Sequence, residues 1–194
     1  MKNVKLPLLL ALASTLVAGC VVTSVYPFYT EADVVFDPAL VGAWVSADDP
    51  NPTKQTWTFE RNGTKEYRLA IRDEEGTKEY EAHLFKLQDQ RCLDLRLTER
   101  KEGHFPVHFL LKVSRLQPTL QMAGLRADWL DELLTRDPRA IRHQKVQMDP
   151  KNKDDWRLVF TAETAEVQAF LLKHLNDPKA FADYGVMKRR ENKR

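Results

Sequence analysis

Cysteine is nearly absent from this chain of 194 residues, which carries only Cys20 and Cys92. No Cys-x-x-Cys pair exists, so redox and zinc chemistry built on that spacing is excluded. Glycine is as scarce, with seven residues scattered along the chain and no glycine-rich loop to cradle a phosphate. Serine occurs only at Ser14, Ser24, Ser46 and Ser114. None stands in Gly-x-Ser-x-Gly, the turn that exposes a hydrolase nucleophile. His-Glu-x-x-His is missing too. His104 and His108 are four residues apart on a strand-like pattern, roughly 13 Å, too far for shared direct zinc ligation. His83 and His108 can meet across strands, a pairing that sequence alone does not fix. Asp73, Glu74 and Glu75 stand at a turn without the ordered ligand spacing of a calcium loop. The reading therefore assigns no catalytic residue, no metal ligand and no cofactor. Neither sign of charge dominates, with 30 basic and 28 acidic residues. That balance gives no cationic field for nucleic acid.

The N-terminus opens on Lys2 and Lys5, followed by a largely apolar stretch from Leu6 to Val17. It is too short to span a bilayer, which takes roughly 20 residues, and matches the apolar region of a signal peptide. Leu16-Val17-Ala18-Gly19-Cys20 follows and resembles the lipobox of bacterial lipoproteins. The resemblance implies cleavage before Cys20, a lipid on its thiol and acylation of the new amino group. Several acyl chains suffice for a stable tether. Val21 rather than aspartate after the cysteine implies the periplasmic side of the outer membrane over the inner one. Removing residues 1–19 takes away two lysines and no acid, leaving 28 basic and 28 acidic residues. The expected organisation is a signal peptide at 1–19, a lipidated tether at 20–36, one β-rich domain with C-terminal helices at 37–187 and a charged tail at 188–194. The tether holds Tyr26, Phe28, Tyr29 and Phe36, too aromatic for a pure spacer. It is expected to lie against the domain or at the membrane interface. Cys92, in a strand-like run, is expected to be a buried inert thiol.

Asp37 can cap a helical turn with Pro38 at its first position, leading Trp44 into a core. From Trp57 onward the apolar period is two. Trp57 and Phe59 share a face, Asn62-Gly63 marks a turn, and Tyr67, Leu69 and Ile71 follow. Tyr80, Ala82 and Leu84 continue, then Phe85 and Leu87 take the opposite parity, which predicts a bulge or a two-sided stretch. Leu93, Leu95 and Leu97 come next. A long face of Phe105, Val107, Phe109, Leu111 and Val113 follows, then Leu120 and Met122. Arg68, Glu81, Asp94 and Lys112 are expected on a solvated outer face. The short runs predict an antiparallel β-barrel or curved sheet.

Beyond residue 127 the period changes to that of a helix. Trp129, Leu130, Leu133 and Leu134 form one stripe, and Val167, Phe170, Leu171, His174 and Leu175 form another after a Thr161 cap. Asp137-Pro138 and Asp177-Pro178 read as two more helix starts. Residues 156–160 read as one late strand.

The segment Leu40-Val41-Gly42-Ala43-Trp44 resembles the Gly-x-Trp start of lipocalin-like, or calycin, barrels. That resemblance implies a short helical turn before the first strand and a tryptophan closing the barrel base. The late helices depart from it. Ser24 to Trp44 also resembles the mature start of uncharacterised bacterial lipoproteins, which implies no activity. The fold expected is mainly β (α+β), lipocalin-like, with C-terminal helices packed against it. The function expected is a membrane-anchored binding or scaffolding module for an envelope protein or a small apolar ligand. Trp57, Tyr67, Tyr80 and Phe109 are the candidate pocket residues. An envelope hydrolase with distant Asp, Glu or His residues is one alternative. A structural protein docking a partner through the helix at 162–175 is another.

Overall fold

The computed structural model describes residues 22–49, 54–99, 105–153, 155–182 and 184–191; Cys20 and His104 lie outside them. The chain begins with β1 (Val22–Ser24) and a 3-10 turn at Pro38–Leu40. Asp37 caps that turn through its side chain, which accepts the Ala39 N–H, and Pro38 occupies the first turn position. Seven strands then meander: β2 (Gly42–Ser46), β3 (Thr56–Asn62), β4 (Glu66–Asp73), β5 (Gly76–Leu87), β6 (Gln90–Leu97), β7 (His108–Arg115) and β8 (Leu120–Gly124). Helix α1 (Ala127–Arg136), β9 (His143–Gln147), β10 (Trp156–Phe160), α2 (Thr164–His174) and β11 (Gly185–Arg189) complete the order. Strand β11 pairs antiparallel with both β8 and β2, closing a ring of eight antiparallel strands. The expected barrel with helices packed against it is what forms.

Alternation sets which residues enter the ring. Trp44, Trp57, Phe59, Tyr67, Leu69, Ile71, Leu84, Leu93, Leu95 and Met122 are buried in one interior cluster. An eight-stranded barrel is just wide enough for such side chains to fill, or to hold one small ligand. Val35, Phe36, Ala39 and Val41 pack against that cluster, so the 3-10 turn plugs one end. Trp44 Nε1 donates to Leu40 O at 2.8 Å, and the Tyr67 hydroxyl accepts from Asp37 N and donates to Asp37 O. Arg189, on the closing strand, lies over the Trp44 ring at 4.6 Å and donates to Val41 O and Ala39 O. This crossing needs Gly42. Its φ is +132°, and a Cβ there would land on the Arg189 guanidinium. Gly63, at φ +69°, makes the β3–β4 turn in the left-handed region that glycine enters freely.

A second apolar cluster lies outside the ring. Phe85, Leu87, Cys92, Leu110 and Ala123 point outward from β5 to β8 and meet Leu130 and Leu134 of α1 and Val167, Phe170 and Leu171 of α2. Phe85 and Leu87 therefore belong to a two-sided stretch, because the β5–β6 register runs unbroken from Tyr80 to Leu87. The bulge falls instead between Val113 and Arg115. Strands β1, β10 and β9 extend the sheet beyond the ring. Residues 108 and 109 of β7 pair with β1, while residues 111–115 pair with β8, so one edge serves two neighbours.

Several local expectations need correction. Residues 156–160 do form the expected late strand, β10, but it extends the sheet outside the ring. The closing strand is β11, which takes Lys188 and Arg189 from the stretch assigned to a charged tail. It is hard to read because only Met187 of its five residues is buried. Phe105 does not extend the β7 face and is 89% exposed. Asp137-Pro138 and Asp177-Pro178 start no helix. Each aspartate side chain accepts the N–H two residues on and closes a single turn. Helix α2 has Glu163, not Thr161, at its N-cap, and the Thr161 N–H goes to Arg142 O. Asp94 is buried and Lys112 half-buried, not on a solvated face, because the outer flank that bears them is covered.

Candidate functional site

Trp57, Tyr67, Tyr80 and Phe109 all face the barrel interior, three of them within the interior cluster and Phe109 packed against it. They do not share one level. Antiparallel alternation places the starts of β3 and β7 at the end opposite the plug, and the start of β4 at the plugged end. Trp57 and Phe109, each second in its strand, lie towards the far end with Tyr80, whose ring meets Phe109 edge-on at 6.5 Å. Tyr67 belongs to the plug. Its ring stacks on Phe36 at 4.9 Å and its hydroxyl is spent on the Asp37 backbone. Burial raises the phenol pKa of both Tyr67 and Tyr80, keeping them neutral donors.

A second constellation lies on the covered flank, where the N-terminal strap of residues 22–36 crosses the barrel wall. Val25 donates to Phe160 O, Thr164 Oγ1 to Pro27 O, and Gln168 Nε2 to both Phe28 O and Asp33 Oδ2. Phe28 is fully buried against Phe160. Further on, Val35 donates to Leu84 O and Lys86 to Asp33 O, so the strap pairs the length of β5 that extends past β4. The expectation that this segment lies against the domain agrees with these contacts.

Beneath the strap sits Asp94. One carboxylate oxygen accepts the Phe28 N–H at 2.9 Å and the other receives His108 Nδ1 at 2.8 Å. His83 stands directly across the β5–β6 ladder from Asp94, and Ser24 directly across the β1–β7 ladder from His108. The Tyr29 hydroxyl lies 3.1 Å from His83 Nδ1, with the two rings stacked at 4.5 Å. Burial first, and the Asp94 charge second, push the Tyr29 phenol far above its ordinary range. The Tyr29 hydroxyl therefore keeps its proton within that hydrogen bond. His83 and His108 thus do converge, around a carboxylate that strand periodicity alone could not place. A hydrolase is expected to gather such groups in a cleft. Here Asp94 is 1% exposed and His108 7%, and both carboxylate oxygens hold structure. The arrangement is a clasp that fixes the strap, and an isolated buried carboxylate requires such partners.

Cys92 behaves as expected: it is fully buried and burial pushes its thiol up to about 12. Lys112, its cross-strand neighbour, donates to Leu175 O at the end of α2, where a cation complements the helix dipole. Val167, Phe170, Leu171 and Leu175 are all buried. The stripe that the helix-docking alternative needs exposed is therefore covered by the domain itself, and of the large apolar residues of α2 Leu172 is the exposed one. Among the described residues no cluster of three metal-ligating side chains occurs, and no helix is long and apolar enough to cross a membrane. On β3 and β4 the wall carries charge outside, at Glu60, Arg68 and Arg72, and hydrocarbon inside, the reverse of the pattern of a lipid-spanning barrel.

The class defined by this geometry is a closed antiparallel barrel with a helical flank, consistent with the calycin-like resemblance of the Gly42-Ala43-Trp44 segment. No protein-family model matches the chain, nor does any curated protein or solved structure.

Proposed function

We propose that this chain is an envelope lipoprotein, tethered through acylated Cys20 to the periplasmic side of the outer membrane, whose barrel is a non-catalytic binding or scaffolding module. The observation that carries the reading is the interior of the ring. Trp57, Tyr80 and Phe109 line it away from the plug, and small apolar ligands favour concave, aromatic-lined sites with few polar groups. Tyr67 supports the site from below by holding the plug. A small apolar ligand is the favoured occupant, and an envelope protein docking on the outer surface is the scaffolding form of the same role.

Titration with a fluorescent long-chain fatty acid tests the ligand. Saturable binding with one site per chain is expected, weakened about tenfold by Tyr80→Ala, the loss of roughly 1.4 kcal/mol at a buried aromatic contact. Absence of saturable binding sinks the ligand form. The mass of the membrane-extracted protein tests the anchor separately. Acyl chains on a mature N-terminal Cys20 are expected, and an unmodified thiol with residues 1–19 retained sinks it.

A further inference from the structure

The clasped strap leaves the anchor almost no slack. Val22, the first residue of β1, is two residues from Cys20, and two residues reach at most about 7 Å. From Val22 on, the chain is held by strand pairing on both edges, by the Asp94 clasp and by the buried Phe28. What stands beside Val22 must therefore meet whatever Cys20 is fixed to.

Strand β1 runs parallel to β10, with Val22 opposite Leu158. The N-terminal ends of the two strands thus lie side by side, next to the β9–β10 hairpin. Alternation divides this hairpin into two faces. Trp156, Leu158 and Lys145 share one face, where Lys145 pairs with Asp131 of α1 and lies 4.0 Å over the Trp156 ring. Arg157 and Val146, directly opposed, share the other. Val146 is 41% exposed, and Met148, two residues on, is 44% exposed. The Nε of Arg157 is buried and has no hydrogen-bond partner among the described residues. The hairpin turn is braced from within, since Gln147 Nε2 donates to the carbonyls of Asp149, Asn152 and Asp155.

We propose that the face of the β9–β10 hairpin carrying Val146, Met148 and Arg157 is a bilayer-apposed surface, pressed among lipid headgroups by the chains on Cys20. This rests on the reading of Cys20 as the lipidated residue. Val146 and Met148 supply hydrocarbon for the interfacial zone, and the half-buried Arg157 adds a positive charge to the same face. Lys151 and Lys153 in the turn are outnumbered by Asp149, Asp154 and Asp155, so the contact is set by the short tether and not by attraction to anionic lipid at a distance.

The test is spin labelling of lipidated full-length protein in vesicles of phosphatidylethanolamine and phosphatidylglycerol. Met148→Cys places the label on the hairpin, and Glu75→Cys places a control in the β4–β5 turn. The native Cys92 is buried and does not compete. The label at 148 should lose collisions with a water-soluble nickel chelate and gain collisions with oxygen, while the label at 75 stays open to water. The mass of the same sample reports acylation of Cys20. Acylated protein whose two labels are equally open to water overturns this surface and leaves the anchor standing. An unacylated Cys20 overturns both.

Discussion

The two sides of the barrel wall obey the same two-residue period and end in different surroundings. On β3 and β4 the inward positions are hydrocarbon, and outward positions such as Glu60, Arg68 and Arg72 are in water. On the lower half of β5 and on β6 to β8, Phe85, Leu87, Cys92 and Leu110 are buried outward as well, under the strap and the helices. The difference teaches that alternation fixes which way a side chain points, not whether that direction is wet. An outward Asp94 is buried because residues 22–36 cross it. An outward Arg68 is exposed and shares its charge with Glu79.

The largest test of this comparison removes one anchor from each cluster. Trp44→Ala and Phe28→Ala each take a fully buried ring and should each cost about 3–5 kcal/mol. Thermal unfolding followed by near-ultraviolet circular dichroism should show one shifted transition in both cases. A separate early transition in Phe28→Ala alone would mean that the flank folds independently of the ring. A next, smaller contrast sets Asp94→Asn against Arg68→Ala. The first loses charged hydrogen bonds in a buried site, about 2–3 kcal/mol. The second, on the open wall, should stay within about 1 kcal/mol. Equal losses in urea unfolding would erase the distinction between the two sides.

Gly42→Ala probes the seam where the ring closes. Its positive φ and the Arg189 crossing predict a cost of about 1–3 kcal/mol. In a double-mutant cycle, Arg189→Ala should recover only the steric part, leaving the backbone strain. Full additivity would show that the two residues do not meet. The smallest effect concerns Cys92. Its folded pKa of about 12 lies above the ordinary thiol value of 9.0, so its contribution to stability is complete below pH 9. That contribution is lost as pH rises from there towards 12. By about pH 10 the loss is on the order of 1 kcal/mol. The stability difference between wild type and Cys92→Ala, followed across that range, should shrink accordingly, and native protein at neutral pH should resist thiol reagents.

Much of this fold was legible because alternation and turn chemistry agree. Asn62-Gly63, Asp73 to Gly76 and the Asp37-Pro38 cap all sit where their local chemistry predicts. Strands β1, β9 and β11 are short, β9 is largely exposed, and β11 buries only Met187. They are strands because neighbouring edges need partners, a tertiary demand that leaves no local period. The interior aromatics could be picked by parity, but the separation of Tyr67 from the other three depends on strand direction around the ring. The Asp94 clasp was out of reach, since it joins positions 28, 94 and 108, which no spacing rule connects.

The divided edge of β7 has a bearing on where this protein can be cut. Its first two residues lean on β1, and the overhanging part of β5 leans on residues 33–35. A fragment starting at residue 37, the natural place to begin if the preceding stretch were only a leash, would bare both edges and empty the slot of Phe28. Naked strand edges recruit other chains, so such a shortened version would be drawn into aggregates before any binding could be measured.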